Sequence, residues 1–433
     1  MSIGYASLAL GVPGARLRSI TSARATPERL EALIEGNLVA LDALLDYNHA
    51  NGIRLFRVSS DIIPFGSSPV NTLDWQTRFA DQLAALGAKA RRFGIRLSMH
   101  PGQYTVLNSP DAGVVERAVA DLSYHAAFLD ALGMDSTAKV ILHVGGIYGD
   151  KPAALRRFAR AYAQLPQAIV RRLVVENDDR LYTAQDVLAL SRKTGAPMVF
   201  DILHHQLNQE QDSPDAFALI DAAAETWGNA DGAQKIHFPQ QAAGRRPGSH
   251  SDTIAVEPFL TFYRHLETRR GAKNLPDIML EVKDKNLSAI KCLACTDTSG
   301  RISVLEREWA RYKYRVLEHD QAIYQRIRKL LNNKDAYPAV PFYQLVEQAE
   351  DTPPSAGSFR NAAQHVWGYM ANEATQRERA TFATLMERFS RGETTGAAVK
   401  KRLYALAEKY EQPYLLQSYY FVPDRPGAAD PTV

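Results

Sequence analysis

The feature that most restricts the fold of this 433-residue chain is an alternation of two patterns along its length, up to about residue 290. Short apolar runs recur at Ile3–Leu8, Ile53–Val58, Ile95–Met99, Lys139–Val144, Leu173–Glu176, Pro197–Ile202, Lys235–Phe238 and Asp277–Val282. Between them lie longer stretches with helical periodicity, among them Glu28–Asn48, Trp75–Phe93, Gly113–Leu132, Ala184–Thr194 and Ile254–Arg270. Strand–helix alternation implies parallel strands joined by right-handed crossovers, and about eight repeats over this length fit a closed (β/α)8 TIM barrel. An open doubly wound sheet would carry a glycine-rich phosphate loop after its first strand, and Gly11 and Gly14 do not form one.

After Cys295 the pattern changes. Arg301–Asn333, Phe342–Glu350, Phe359–Asn372, Gln376–Arg391 and Ala398–Tyr410 read as helices with no strand between them. A barrel over 1–295 followed by a smaller all-α domain over 296–433 is therefore expected. The first of these helices carries Trp309, Arg311, Tyr312, Lys313, Tyr314 and Arg315. Two readings fit that run, a DNA-facing strip and a solvated amphipathic face.

Composition sets limits without choosing a function. A net charge of +3 permits a nucleic-acid partner but does not require one. The two cysteines, Cys292 and Cys295, supply half of a zinc site, so two inert thiols are expected ahead of a redox pair or a mixed metal site. Scarce cysteine fits a reducing cytoplasm. The first twenty residues lack the pattern of a signal peptide, and no apolar stretch reaches the eighteen residues a membrane span needs.

In such barrels the active site forms where the strands end. The third run ends at His100, the fourth at His143, the fifth at Glu176, the sixth at Asp201 with His204 just beyond, the seventh at His237 and the eighth at Glu281. His250 follows soon after the seventh. A chain with 11 histidines thus gathers five at one rim, and six consecutive strands end in a metal-competent group. A mixed nitrogen and oxygen set without thiolate suits Mn²⁺, Zn²⁺ or Fe²⁺. Glu176, Asp201, His237 and Glu281 could surround one ion, His100 and His143 a second with Glu176 bridging, and His204 and His250 a third. Clustered ions serve phosphodiester hydrolysis by activating water and neutralising the attacked phosphate.

These residues, in their local contexts, resemble the UV damage endonuclease family, related to endonuclease IV and to xylose isomerase-like barrels. The resemblance rests on Arg57–Pro64, His100-Pro101-Gly102-Gln103-Tyr104, His143-Val144-Gly145-Gly146, Glu176-Asn177-Asp178-Asp179, Phe200–His205, Lys235-Ile236-His237 and Ser249-His250-Ser251-Asp252. It implies a DNA repair endonuclease, monomeric and acting on damaged double-stranded DNA in the bacterial cytoplasm. The implied ligands are His100, His143, Glu176, Asp201, His204, His237, His250 and Glu281. Manganese is the expected ion, three per site, with Zn²⁺ or Mg²⁺ as alternatives. Glu176, Lys235, His237 and Glu281 are the expected catalytic groups. Gln103 and Tyr104 fall where the family inserts a polar–aromatic pair into the duplex, and Tyr5 matches a tyrosine of its lesion pocket. Arg180, Arg245 and Arg246 are the cations best placed for the DNA backbone.

Strand alternation turns Lys235 to the same side as His237. A buried lysine beside cations cannot keep its charge cheaply, so a neutral or carbamylated amine is expected. Two places depart from the family pattern: Ser68 stands where a histidine is expected, which predicts reduced turnover, and the first-strand loop Leu8-Ala9-Leu10 lacks the polar residue that some relatives carry, which leaves lesion preference open. Two other readings follow from the same residues. One is a barrel isomerase acting on a small sugar; the other is a lesion-binding protein without strong activity.

Overall fold

The structure, a computed structural model, describes residues 1–422. Eight parallel strands close into a barrel in sequence order: β1 (Ile3–Ala6), β2 (Leu55–Arg57), β3 (Arg96–Met99), β4 (Lys139–His143), β5 (Leu173–Glu176), β6 (Met198–Asp201), β7 (Lys235–Phe238) and β8 (Asp277–Leu280). Closure is direct, with Ile3 paired to Ile278 and Gly4 to Met279. A Cβ on Gly4 would lie 1.9 Å from the Leu55 carbonyl oxygen, so β1 approaches β2 as only glycine permits.

Helices wrap the strands, and their ends are marked by short polar side chains. Thr26 accepts from the Arg29 amide ahead of Pro27–Ala50, and Asp111 accepts from Gly113 and Val114 ahead of Ala112–Ala131. Thr183 and Asp186 form a reciprocal capping box on Ala184–Thr194, which ends on Gly195 at φ 81°.

The two-residue period of the strands sorts side chains into those facing the helices and those filling the barrel. The filling is layered. Near the strand starts it is charged: Arg96 Nη1 lies 2.9 Å from Asp277 Oδ2, and Lys139 Nζ donates to Asp231 Oδ1 at 2.5 Å and to the Arg171 carbonyl at 2.8 Å. The middle is apolar, with Ala6, Leu55 and Met279 in one cluster and Ile141, Val174 and Val199 in another. The strand ends carry the histidines and carboxylates. The expected closed barrel is the observed one.

A second compact unit comprises residues 291–422 together with Leu10–Pro13 and Ala255–Leu260. It is helical, with Ile302–His319, Gln321–Leu330, Ala339–Glu350, Ala356–Gly368, Gln376–Ser390 and Gly396–Lys409 as its longer elements. Phe359, Val366, Phe389, Leu403, Leu415 and Tyr420 anchor its core. The expected single helix over Arg301–Asn333 is two. Asp320 breaks it in an extended conformation (φ −151°, ψ 114°), and its carboxylate accepts from the Ile323 amide to start the next helix. Neither reading of the basic–aromatic run holds. Tyr312, Tyr314 and Arg315 are buried, Arg311 pairs with buried Glu308 at 2.7 Å, and Arg315 pairs with Glu350 at 2.5 Å. Among the described residues no helix is long and apolar enough to cross a membrane.

Candidate metal centre

Glu176, the last residue of β5, is the hub of the site and is 1% exposed. Its two oxygens face different partners. Oε2 lies 3.1 Å from His100 Nε2 and 3.6 Å from His143 Nε2. Oε1 lies 2.6 Å from His237 Nδ1 and 3.8 Å from His204 Nδ1. Two ligand groups result, His100–His143–Glu176 and Glu176–Asp201–His237, each with donor atoms within 4.8 Å of one another. Glu281 lies 3.2 Å from His237 through the same Nδ1.

Backbone carbonyls orient the imidazoles from behind. His100 Nδ1 lies 3.0 Å from the Pro101 carbonyl, which leaves Nε2 facing Glu176. His204 Nδ1 lies 2.9 Å from the Asn177 carbonyl, which leaves its Nε2 free for an ion. Asp201 ends β6 and caps the short helix Ile202–Leu207, accepting from the His204 amide at 2.8 Å. That turn separates the adjacent histidines: His204 joins the site, while His205 is buried beside the Phe200 ring.

Charge within the cluster is unbalanced. Burial would raise the Glu176 carboxyl, but His237, His143 and His100 outweigh it and hold it well below the usual carboxylate range. Burial pushes Asp201 up to about 7, helped by Glu176 and Glu281 against the pull of His204. Burial pulls His204 down, yet Asp201 and Glu176 carry it up to about 9. Burial opposes ionisation of Glu281, but Arg57 and His237 lower its carboxyl. The buried atoms His143 Nδ1, Asp201 Oδ2 and His237 Nε2 have no hydrogen-bond partner. Lone-pair donors buried without partners, in a set of imidazoles and carboxylates, fit divalent cations.

The other expected site residues divide. His250 pairs with Gln241 in an antiparallel bridge, and Glu281 and His204 are among the charges acting on it. The same loop leaves Arg245 and Arg246 exposed. Arg180, 67% exposed at its side chain, lies 3.3 Å from Asp179. Lys235 is fully buried with no hydrogen-bond partner at Nζ; burial, then Arg96, holds its amine well below the usual lysine range. Tyr5 requires correction. It is fully buried and its hydroxyl donates to Asn48 Oδ1 at 2.9 Å, so it faces a surrounding helix and cannot contact DNA. Cys292 is buried and burial pushes the Cys295 thiol up to about 12, as inert thiols require.

Beside the centre opens a cavity of about 520 Å³ whose lining includes His100, His143, His204, Gln103, Tyr104 and Arg180. Tyr104 is 75% exposed and also borders a second cavity of about 400 Å³ with Ser68, Arg117 and Asp121. Asp121 ties the two loops that meet there, accepting from Ser67 Oγ at 2.7 Å and Thr105 Oγ1 at 2.6 Å. Ser68 sits in the turn, its Oγ accepting from the Val70 amide at 3.3 Å. Arg57 opens the stretch Arg57–Pro64 that carries the resemblance but is given no role there, although Nη1 lies 2.5 Å from Glu281 Oε1. The available signal was a charged residue at the end of an otherwise apolar strand.

Comparison with known proteins identifies the family. The sequence model described as UV-endonuclease UvdE matches residues 9–309, and a family described as a protein of unknown function (DUF1722) matches 313–424. A UV DNA damage endonuclease of Clostridium perfringens is 33% identical over 424 residues, covering 97% of this chain and 99% of its own. One from Bacillus velezensis is 32% identical over 63% of this chain and 87% of its own. The crystal structure of SacUVDE superposes with a TM-score of 0.62 at 34% identity, over 68% of this chain and 96% of that one.

Proposed function

Because the chain belongs to the UV-endonuclease UvdE family, we propose that it is a divalent-metal-dependent DNA repair endonuclease. It cuts the phosphodiester immediately 5′ to a UV photoproduct and leaves a 3′-hydroxyl and a 5′-phosphate; abasic sites are a further substrate. The observation that carries the metal requirement is Glu176, whose two oxygens face separate imidazole sets as a bridging carboxylate would.

Three ions, manganese first and zinc or magnesium as alternatives, would supply the positive charge and the activated water that phosphodiester cleavage needs. The proposed ligands are Glu176, Asp201, His237 and Glu281, then His100 and His143, then His204 and His250. The Pro101 and Asn177 carbonyls hold His100 and His204 in place before substrate arrives. Arg57 donates to Glu281 Oε1, the same oxygen that faces His237. Lys235 lies below His237 among Arg96, Arg57 and Lys139, three cations against the one carboxylate of Asp277, a balance that favours a carbamate on its amine. Gln103 and exposed Tyr104 enter the duplex where a lesion has weakened stacking, and an aromatic ring recovers part of what is lost. Arg180, Arg245 and Arg246 contact phosphates as the chain binds duplex DNA as a monomer.

The test is a labelled duplex with a single cyclobutane dimer, incubated with Mn²⁺ or with EDTA. Cleavage at the bond 5′ to the dimer, abolished by EDTA, is the expected result. Binding without cleavage at any metal concentration would favour a lesion-binding protein. A sugar isomerase is disfavoured by Tyr104, which stands in solvent instead of closing a small pocket.

A further inference from the structure

We infer that Tyr148 is a second aromatic wall of the cavity beside the metal centre, and that it stacks on a pyrimidine base displaced from the damaged strand. The inference rests on the endonuclease reading above and adds a binding subsite to it. Of the large hydrophobic side chains exposed in this protein, Tyr104, Tyr148 and Leu181 all border this one cavity. Its inner wall holds His100, His143 and His204, so a base seated there keeps its own phosphate close to the candidate ions.

Tyr148 is built as a fixed surface. It follows β4 in the loop Val144–Asp150 and adopts φ 50°, a left-handed conformation that a non-glycine residue holds only when its surroundings impose it. Those surroundings are visible. The Gly146 carbonyl accepts from Asn108 Nδ2 at 2.7 Å and from the Tyr182 hydroxyl at 2.9 Å, which pins the loop two residues before the tyrosine. Arg157 donates through Nε to the Asn108 carbonyl at 2.8 Å, and its guanidinium lies 5.4 Å from the centre of the Tyr148 ring.

Glycine makes room for both tyrosines. A Cβ on Gly146 would come within 3.0 Å of the Tyr148 ring, and one on Gly102 within 2.5 Å of the Tyr104 ring. Each exposed ring therefore lies close over backbone that precedes it, one after β3 and one after β4. Yet Tyr148 keeps 46% of its surface in solvent. A tyrosine retained for packing would bury that surface. A rigid aromatic that stays open loses little entropy when a flat ligand stacks on it. A base has a π-face whatever its identity, so such a wall favours any lesion that frees a base from the helix.

The test uses the full chain and single-turnover cleavage in Mn²⁺, which separates binding from chemistry. Two duplexes of one sequence are titrated, with and without a thymine cyclobutane dimer, and the undamaged one is followed by fluorescence anisotropy. Tyr148→Ala should raise the half-saturating concentration for the dimer about 5- to 150-fold, the range of base–aromatic stacking. Cleavage at saturation should fall by a smaller factor than the half-saturating concentration rises, while binding of the undamaged duplex should stay near wild type. Tyr148→Phe, which keeps the ring, should restore dimer binding. Gly146→Ala, which pushes the ring without deleting it, should lose part of the preference. Wild type that does not prefer the dimer overturns the endonuclease reading and this subsite together. A wild-type preference that survives both Tyr148→Ala and Gly146→Ala overturns the subsite alone.

Discussion

His237 places its Nδ1 2.6 Å from Glu176 Oε1, while the other oxygen of that carboxylate lies 3.1 Å from His100 Nε2. One buried side chain thus serves both candidate ligand groups. Glu176→Gln keeps the shape but replaces one acceptor oxygen with an NH₂ that donates. Cleavage of a dimer-containing duplex should fall by about 100-fold or more, and bound metal, read by elemental analysis, should fall with it. A Glu176→Gln protein that keeps both its metal and its rate would remove Glu176 from the centre.

The barrel and its rim were legible because two periods are written in the chain at once. Apolar runs of strand length alternate with helical stretches, and the polar residue that ends each strand must face the same opening. Parity within a short apolar strand was not legible. In Ile3–Ala6 nothing in the residues says whether Gly4 and Ala6 or Ile3 and Tyr5 face the helices. The structure answers through Asn48, which receives the Tyr5 hydroxyl from the helix Pro27–Ala50. Long-range partners were equally hidden. Arg57 and Glu281 are 224 residues apart, and only barrel closure brings them together. The break at Asp320 was readable in principle, since an Asp whose side chain caps the next turn competes with helix continuation.

Arg172 is buried below the rim and makes a prediction about stability. Its guanidinium donates to Asp130 and to the carbonyls of Met134, Asp135 and Ala138. Arg172→Met fills the volume but leaves three carbonyls without that donor. Removing one partner from a buried charged network costs about 3–5 kcal/mol; Asp130 is 33% exposed at its side chain, which favours the lower end. The barrel's melting temperature should drop by roughly 6–10 °C. Cleavage assayed well below that transition should be unchanged. A melting temperature equal to that of wild type would show that water satisfies the carbonyls.

Ser68 occupies the position where the family resemblance predicts histidine. Its hydroxyl accepts from the Val70 amide, and the cavity it borders shares Tyr104 and Thr105 with the one lined by His100 and His143 but includes neither histidine. Ser68→Ala should therefore leave the cleavage rate within about 3-fold of wild type, as for a surface turn residue. A loss beyond tenfold, with metal content intact, would place this hydroxyl in the chemistry.

Protons and metal ions must compete for the same atoms. In the metal-free protein His204 is carried up to about 9, against its burial, by Asp201 and Glu176, and burial pushes Asp201 up to about 7. His204 therefore holds its proton near neutral pH, where Asp201 is about half protonated. An ion needs the neutral imidazole and the ionised carboxylate, so binding expels those protons, and metal affinity should rise with pH. The sign is the same for both groups, because each has a raised value and each must lose its proton. Between pH 7 and 9 His204 is the group still protonated, and apparent affinity should climb about tenfold per pH unit. Titration calorimetry with Mn²⁺ in two buffers of different ionisation enthalpy reads the proton release directly. His204→Gln, which has no such proton to lose, should flatten the dependence between pH 7 and 9. A flat wild-type profile across that range would mean that the ion does not displace the His204 proton and does not bind that imidazole.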